Sequence, residues 1–178
     1  DMTTLASMFE AVGSTATDAK SQSKEFFDGV DVASLSTKES VTTATLTMEK
    51  LFSMAGVKGK EATKELTAFF AEIEKGGLTS KVFEDIANKS STAAKMIAEG
   101  FGFKGPDAIK NFNSALASLG EKSGPSLQAT VAVLNKVSGA VEQMKVPDTI
   151  AGSFEHLTDT VGEFWTKLAT GSDFKEVS

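Results

Sequence analysis

The chain has 178 residues, 40% apolar and 24% charged, with a net charge of −6. That is enough apolar material for a buried core in one domain, or in a compact part with extended arms, and it excludes wholesale disorder. There is no cysteine, no tyrosine, a single histidine, and every basic residue is lysine; disulfides, thiolate chemistry and two-histidine metal sites are excluded, and duplex DNA and anionic membranes are poor partners because both attract clustered basic charge.

Asp1 rather than Met opens the chain, as expected of a processed product, an excerpt or part of a larger protein. Apolar residues then recur at helical spacing nearly throughout. The pattern predicts a first helix over Thr3 to Phe27, striped by Leu5, Met8, Phe9 and Val12, with Gly13 weakening its middle. Asp28-Gly29 is a turn signal, and Val30-Asp31-Val32 is the one short stretch compatible with extended chain. A second helix starts at Ser36 or Thr37, either of which suits an N-cap, and ends at Gly56. A third runs from Lys60 to Lys75 and stops at Gly76-Gly77. Thr79 or Ser80 caps a fourth, which carries Val82, Phe83, Ile86, Met96 and Ile97 and ends at Gly100.

Pro106 suits the first position of a fifth helix, which Gly120 ends. Pro125 opens a sixth, over Ser126 to Met144. Pro147 opens a seventh, with Ile150, Phe154, Leu157, Val161, Phe164, Trp165 and Leu168 as its apolar residues. The expected fold class is therefore all-α: a multi-helix bundle of about seven amphipathic helices joined by short turns, which favour antiparallel neighbours. Three parts are expected: an N-terminal helical arm over 1–55, a central bundle over 56–144, and a C-terminal helix and tail over 145–178. No apolar window is long enough for a membrane-spanning helix. No basic stretch followed by an apolar one opens the chain as a signal peptide would.

A weak repeat runs through the turns. Gly56-Val57-Lys58-Gly59 returns as Gly102-Phe103-Lys104-Gly105, and Met144-Lys145-Val146-Pro147 echoes it again. Each copy places an apolar residue in a turn before a helix start. Stacked helix pairs or a small alphabet of helix punctuation both account for it.

Few residues suggest chemistry. Glu155, His156 and Asp159 lie within one helical turn, but a lone histidine on a helix face reads as solvated. Glu72, Glu74, Glu84 and Asp85 would form an acid–base pair only if two of them shared a desolvated cleft, and their spread favours exposed faces. Gly100-Phe101-Gly102-Phe103-Lys104-Gly105 is glycine-rich but follows a helix and lacks the Gly-Lys-Ser/Thr ending of a phosphate loop, so it reads as a helix stop. No catalytic, cofactor or metal residue is therefore expected, and the chain is not expected to be an enzyme. The partner-interface candidates are the paired aromatics Phe26-Phe27, Phe69-Phe70 and Phe164-Trp165, together with Phe154. Neighbouring positions on a helix point about 100° apart, so one ring of a pair can enter the core while the other meets a partner.

From Gly56 to Phe103 the layout resembles the helical domain near the beginning of many phage tail tape measure proteins. The residues that carry the likeness are Gly56-Val57, Ala62, Leu66, Gly76-Gly77-Leu78, Phe83, Ile86, and the run Met96-Ile97-Ala98-Glu99-Gly100-Phe101-Gly102-Phe103, matched without gaps. A second matching stretch is Ser153-Phe154, Leu157, Val161, Phe164, Lys167-Leu168 and Thr170-Gly171. The family pattern departs from this chain after Phe103, where Pro106 to Lys110 replaces an acidic-Leu-basic run, and in the fourth helix, where Ser91 stands in place of a proline.

The resemblance implies a structural virion protein in the lumen of the phage tail, made in the host cytoplasm. Such a protein helps set tail length, nucleates assembly of the tail tube and leaves during genome ejection. The implied partners are tail tube proteins, tail tip or hub proteins, tail assembly chaperones and copies of the chain itself, with no specific nucleic acid binding and no membrane-spanning segment. As one continuous helix the chain would reach only ~270 Å, so the resemblance implies a fragment or domain of a longer ruler. Two other readings stay open: a helical adaptor or linker subunit of a larger assembly, and a soluble helical carrier of an apolar ligand.

Overall fold

A computed structural model describes residues 2–28, 38–57, 59–120 and 122–144. Among them it contains eight α-helices and no strand: α1 (Met2–Ala11), α2 (Ala16–Asp28), α3 (Lys38–Met54), α4 (Gly59–Gly76), α5 (Ser80–Lys89), α6 (Ser91–Gly100), α7 (Ala108–Ser118) and α8 (Leu127–Glu142). The all-α bundle expected from the sequence is present, with shorter and more numerous helices. Ser36, Thr37, the stretch 30–32 and the helix expected after Pro147 lie outside the described residues.

The first expected helix is in fact two. Gly13 takes φ +108°, which ends α1 in a reverse turn. The Ser14 amide bonds back to the Phe9 carbonyl at 3.0 Å and the Gly13 amide to Glu10 at 3.1 Å, the paired bonds of a Schellman stop. Thr15 then restarts the chain, its hydroxyl accepting from the Asp18 amide at 3.2 Å as an N-cap. The two helices fold back on each other as a hairpin. The same stop recurs where the repeat was read. Val57 bonds back to Phe52 and Phe103 to Ala98, at 3.0 and 2.9 Å. The first two copies of the repeat are thus one type of helix ending used twice; the third, beyond Met144, lies outside the described residues.

The fourth expected helix also divides, at Ser90, whose backbone is extended (φ −154°, ψ 106°). Its hydroxyl accepts from the Ala93 amide at 3.0 Å and donates to the Leu51 carbonyl at 3.5 Å. A serine that offers the backbone an alternative partner interrupts a helix where apolar periodicity alone does not. Ser91 is consequently the first residue of α6, whose amide needs no intrahelical acceptor. Ser91→Pro is expected to keep the fold and to raise stability by about 0.5–1 kcal/mol. In an unbroken helix the same change would cost about 3 kcal/mol, so urea unfolding of this variant separates the two arrangements.

α3 packs most extensively against α8. Asn135 Nδ2 donates to the Ser40 carbonyl at 2.9 Å, and Lys50 Nζ to the Glu142 carbonyl at 2.9 Å. The two anchors ascend together along both chains, so α3 and α8 run in the same direction. Every residue of α8 from Leu127 to Leu134 is buried, Gln128 and Thr130 included; Thr130 satisfies its hydroxyl on the Ser126 carbonyl at 3.0 Å. α6 approaches α8 so closely that a Cβ on Gly100 would overlap the Val133 side chain. The stretch 1–55 contributes Leu5, Met8, Phe9, Val41, Met48 and Phe52 to the same buried cluster that contains Phe83, Phe112 and Val133.

Two backbone segments touch with no side chain between them. The Leu78 amide bonds to the Pro125 carbonyl at 2.8 Å, and a Cβ on Gly124 would overlap the Leu78 carbonyl. Gly124→Ala must push the 76–79 turn off the start of α8. An expected loss of about 1–3 kcal/mol can be read from the denaturation midpoint.

Candidate functional site

The core contains a chain of phenylalanine rings. Phe27 packs edge-on to Phe26 at 5.1 Å, Phe26 stacks on Phe101 at 5.4 Å, and Phe101 on Phe112 at 5.3 Å. Phe112 also meets Phe83 at 4.8 Å and Phe103 at 5.2 Å, and Phe103 stacks on Phe9 at 4.7 Å. This run ties α1, α2, α5, α7 and the 101–103 turn together.

The aromatic candidates fall into place against that core. Phe26 is buried beneath Lys136 Nζ, 5.9 Å from the ring centroid, while Phe27 is half-buried. Phe69 and Phe70 are both buried, and Phe69 sits edge-on to Phe52 at 6.0 Å. Phe154, Phe164 and Trp165 lie outside the described residues, as do Glu155, His156 and Asp159. Glu72, Glu84 and Asp85 are exposed and Glu74 half-exposed; Glu84 Oε1 accepts from Asn113 Nδ2 at 3.0 Å. The glycine-rich run at 100–105 is the stop after α6 and the turn that follows. Among the described residues no three His, Cys, Asp or Glu side chains gather as a metal site, and no helix is long and apolar enough to cross a membrane.

The chemically unusual group is one that residue patterning does not single out. Glu49, in the second half of α3, is fully buried, and no described residue donates a hydrogen bond to either carboxylate oxygen. Ser53, one turn further along the same face, is buried with its hydroxyl equally unmatched among the described residues. The threonines of α3 avoid this fate by turning back onto their own helix, Thr45 to the Val41 carbonyl and Thr47 to Thr43, both at 2.7 Å. Lys50 follows Glu49 directly but is drawn away to Glu142.

Removal from water penalises the charged form of Glu49 and pushes its carboxyl up to about 7. At neutral pH it is therefore poised between a proton donor and an acceptor within the helix packing. Such groups cost free energy unless they are neutralised or matched, and they concentrate where proteins do something beyond folding.

In sequence Met48-Glu49-Lys50 looks like an ordinary surface charge pair. The available signal was the rest of α3. Between Glu39 and Lys58 these are the sole charges, and Val41, Ala44, Met48, Leu51 and Phe52 form one apolar stripe with Glu49 only about 60° from its edge at Phe52.

The described fold and site define an all-α helical bundle with a buried carboxyl that no described residue hydrogen-bonds. Comparison with family models, with curated proteins and with solved structures finds no match to this chain.

Proposed function

We propose that this chain is a structural domain of a phage tail tape measure protein, working by packing against neighbours inside the tail. The observation that carries this reading is the helix layout over residues 56–103, where the resemblance lies. The glycines of that pattern fall at helix ends: Gly56 follows α3, Gly76-Gly77 closes α4, and Gly100-Phe101-Gly102 ends α6. Phe83 and Ile86, at the family's apolar positions, are buried from α5. Ser91, where the family pattern has a proline, occupies the first position of α6, the helical position that accepts proline most readily. This departure from the family pattern changes a side chain and leaves the layout intact.

In this reading the net charge of −6 limits adhesion to the genome that later passes through the same lumen, since phosphate attracts basic surfaces. The domain's neighbours would be tail tube and tail tip or hub proteins, assembly chaperones and further copies of the chain. The test is imaging and peptide mapping of purified tails before and after ejection. Density inside the tube, with peptides of this chain present at fixed stoichiometry and lost on ejection, is the expected result. Density outside the tube and clamped on duplex DNA, or tails without these peptides, would overturn it.

A further inference from the structure

We propose, independently of the tail reading, that α1 and α2 form a strap that lifts off the bundle as one unit and uncovers an aromatic floor made by Phe101 and Phe103 and backed by Phe112. The hairpin is held mostly to itself. Among the described helices α2 packs substantially on α1 alone, and α1 reaches the rest of the bundle through α7. α2 buries only Ala19, Ser23 and Phe26, one narrow stripe. The polar bonds of the turn close within the hairpin. Ser14 Oγ donates to Gln22 Oε1 at 3.1 Å, beside the stop at Gly13 and the cap at Thr15. All of these travel with the hairpin when it lifts.

What opening breaks is side-chain contact. Phe9 leaves Phe103 and Phe26 leaves Phe101, and Phe26 slides from beneath the Lys136 ammonium. Other joints of the bundle are fastened differently. α3 and α8 share two hydrogen bonds, from Asn135 to Ser40 and from Lys50 to Glu142, and the 76–79 turn is bonded by backbone to Pro125.

The seam is also incompletely filled. A cavity of about 150 Å³ lies between Gln22 and Phe26 of α2 and Gly100, Gly102 and Lys136 of the body. Glu25, Glu99 and Lys104 also line it and are exposed, so the space is polar and roomy enough to admit water to the edge of the stacked rings. A second gap, too narrow for a water molecule, separates Leu5 and Phe27 of the hairpin from Pro125 and Ala129. Phe26 lines both spaces. The ring that anchors α2 therefore lacks contact atoms on two sides and forfeits part of its dispersion attraction. A unit with internal polar bonds, a void-lined seam and apolar attachment is one that opens before the whole.

Hydrogen exchange of the full chain at rising, sub-denaturing urea tests this. The slowest amides of α1 and α2 are expected to share one opening, with protection at least about tenfold below that of the slowest amides of α6 and α8 and a weaker dependence on urea. Equal protection and equal slope in the hairpin and in α8 would mean that the hairpin leaves only with global unfolding. Separate openings of α1 and α2 would mean that they are not one unit. Either result overturns the proposal. A second measurement holds the strap open. Phe9→Asp combined with Phe26→Asp replaces both anchoring rings by carboxylates that resist burial. This variant is expected to lose protection throughout 2–28 while α5, α6 and α8 stay protected, and to bind an apolar dye at least about tenfold more than the parent chain. Loss of protection in α5, α6 and α8 together with the hairpin would overturn the strap.

Discussion

Replacing Phe112 with alanine is expected to lower stability by about 3–5 kcal/mol. Phe112 is fully buried on α7 and touches three other rings, Phe83, Phe101 and Phe103. Alanine removes the apolar surface of one ring and leaves a void with phenylalanine walls. Those neighbours come from α5 and from the turn after α6, whose backbones are fixed by caps at Thr79 and by the Gly102 stop. Collapse into the void is therefore resisted, which places the cost high in the usual range. In a chain of this length the melting temperature should fall by about 10 °C. Phe112→Leu, which keeps most of the volume, should lose less than half as much. A loss under about 1 kcal/mol for the alanine variant would mean that the ring cluster does not hold the helices together.

The second large effect is a dependence of stability on pH that runs opposite to the usual carboxylate trend. Burial raises the Glu49 carboxyl from its ordinary 4.5 to about 7 in the folded chain. Between those values the folded chain holds a proton that the unfolded chain has released. Stability is therefore fully present below the unfolded value and is lost as pH rises through about 7, becoming flat beyond it. The full span is worth up to about 3 kcal/mol. Glu49→Gln keeps the shape and cannot ionise, so it is expected to remove this slope and to exceed the parent chain in stability by about 2–3 kcal/mol at pH 8 while matching it near pH 4. Urea unfolding of both proteins at the two pH values checks the sign directly. A parent chain equally stable at both, relative to the glutamine variant, would show that Glu49 is solvated or paired when charged.

The outline of this bundle is written locally, and its breaks and its buried charge are not. Helix ends marked by Gly56, Gly76-Gly77 and Gly120, and the start marked by Ser126, can be read from residue type alone, because glycine and serine act within a turn of where they stand. Gly13 and Ser90 are the same residue types doing the same work, but each sits inside an apolar stripe that continues on both sides. A tolerated interior residue and a stop then look alike until the packing decides. At Gly13 it is the pairing of α1 with α2 that decides, and at Ser90 the bond to Leu51 on α3.

Glu49 is a harder case. Nothing within a few residues distinguishes it from a surface glutamate, and its burial depends on elements far away in the chain. The aromatic pairs were legible as apolar anchors but not in their allotment. At Phe26-Phe27 one ring is deeper than the other, and at Phe69-Phe70 both are inside.

The brevity of the segments has a mechanical consequence. α1, α5 and α6 have ten residues each and α7 has eleven, all shorter than the ~12–15 residues at which an isolated helix begins to persist in water. None of them can survive as a free rod once its neighbours are peeled away. A pull on the ends of this chain would meet resistance only while the shared interior stays intact; after that each piece would melt as it came loose, yielding a limp thread several times longer than the folded bundle.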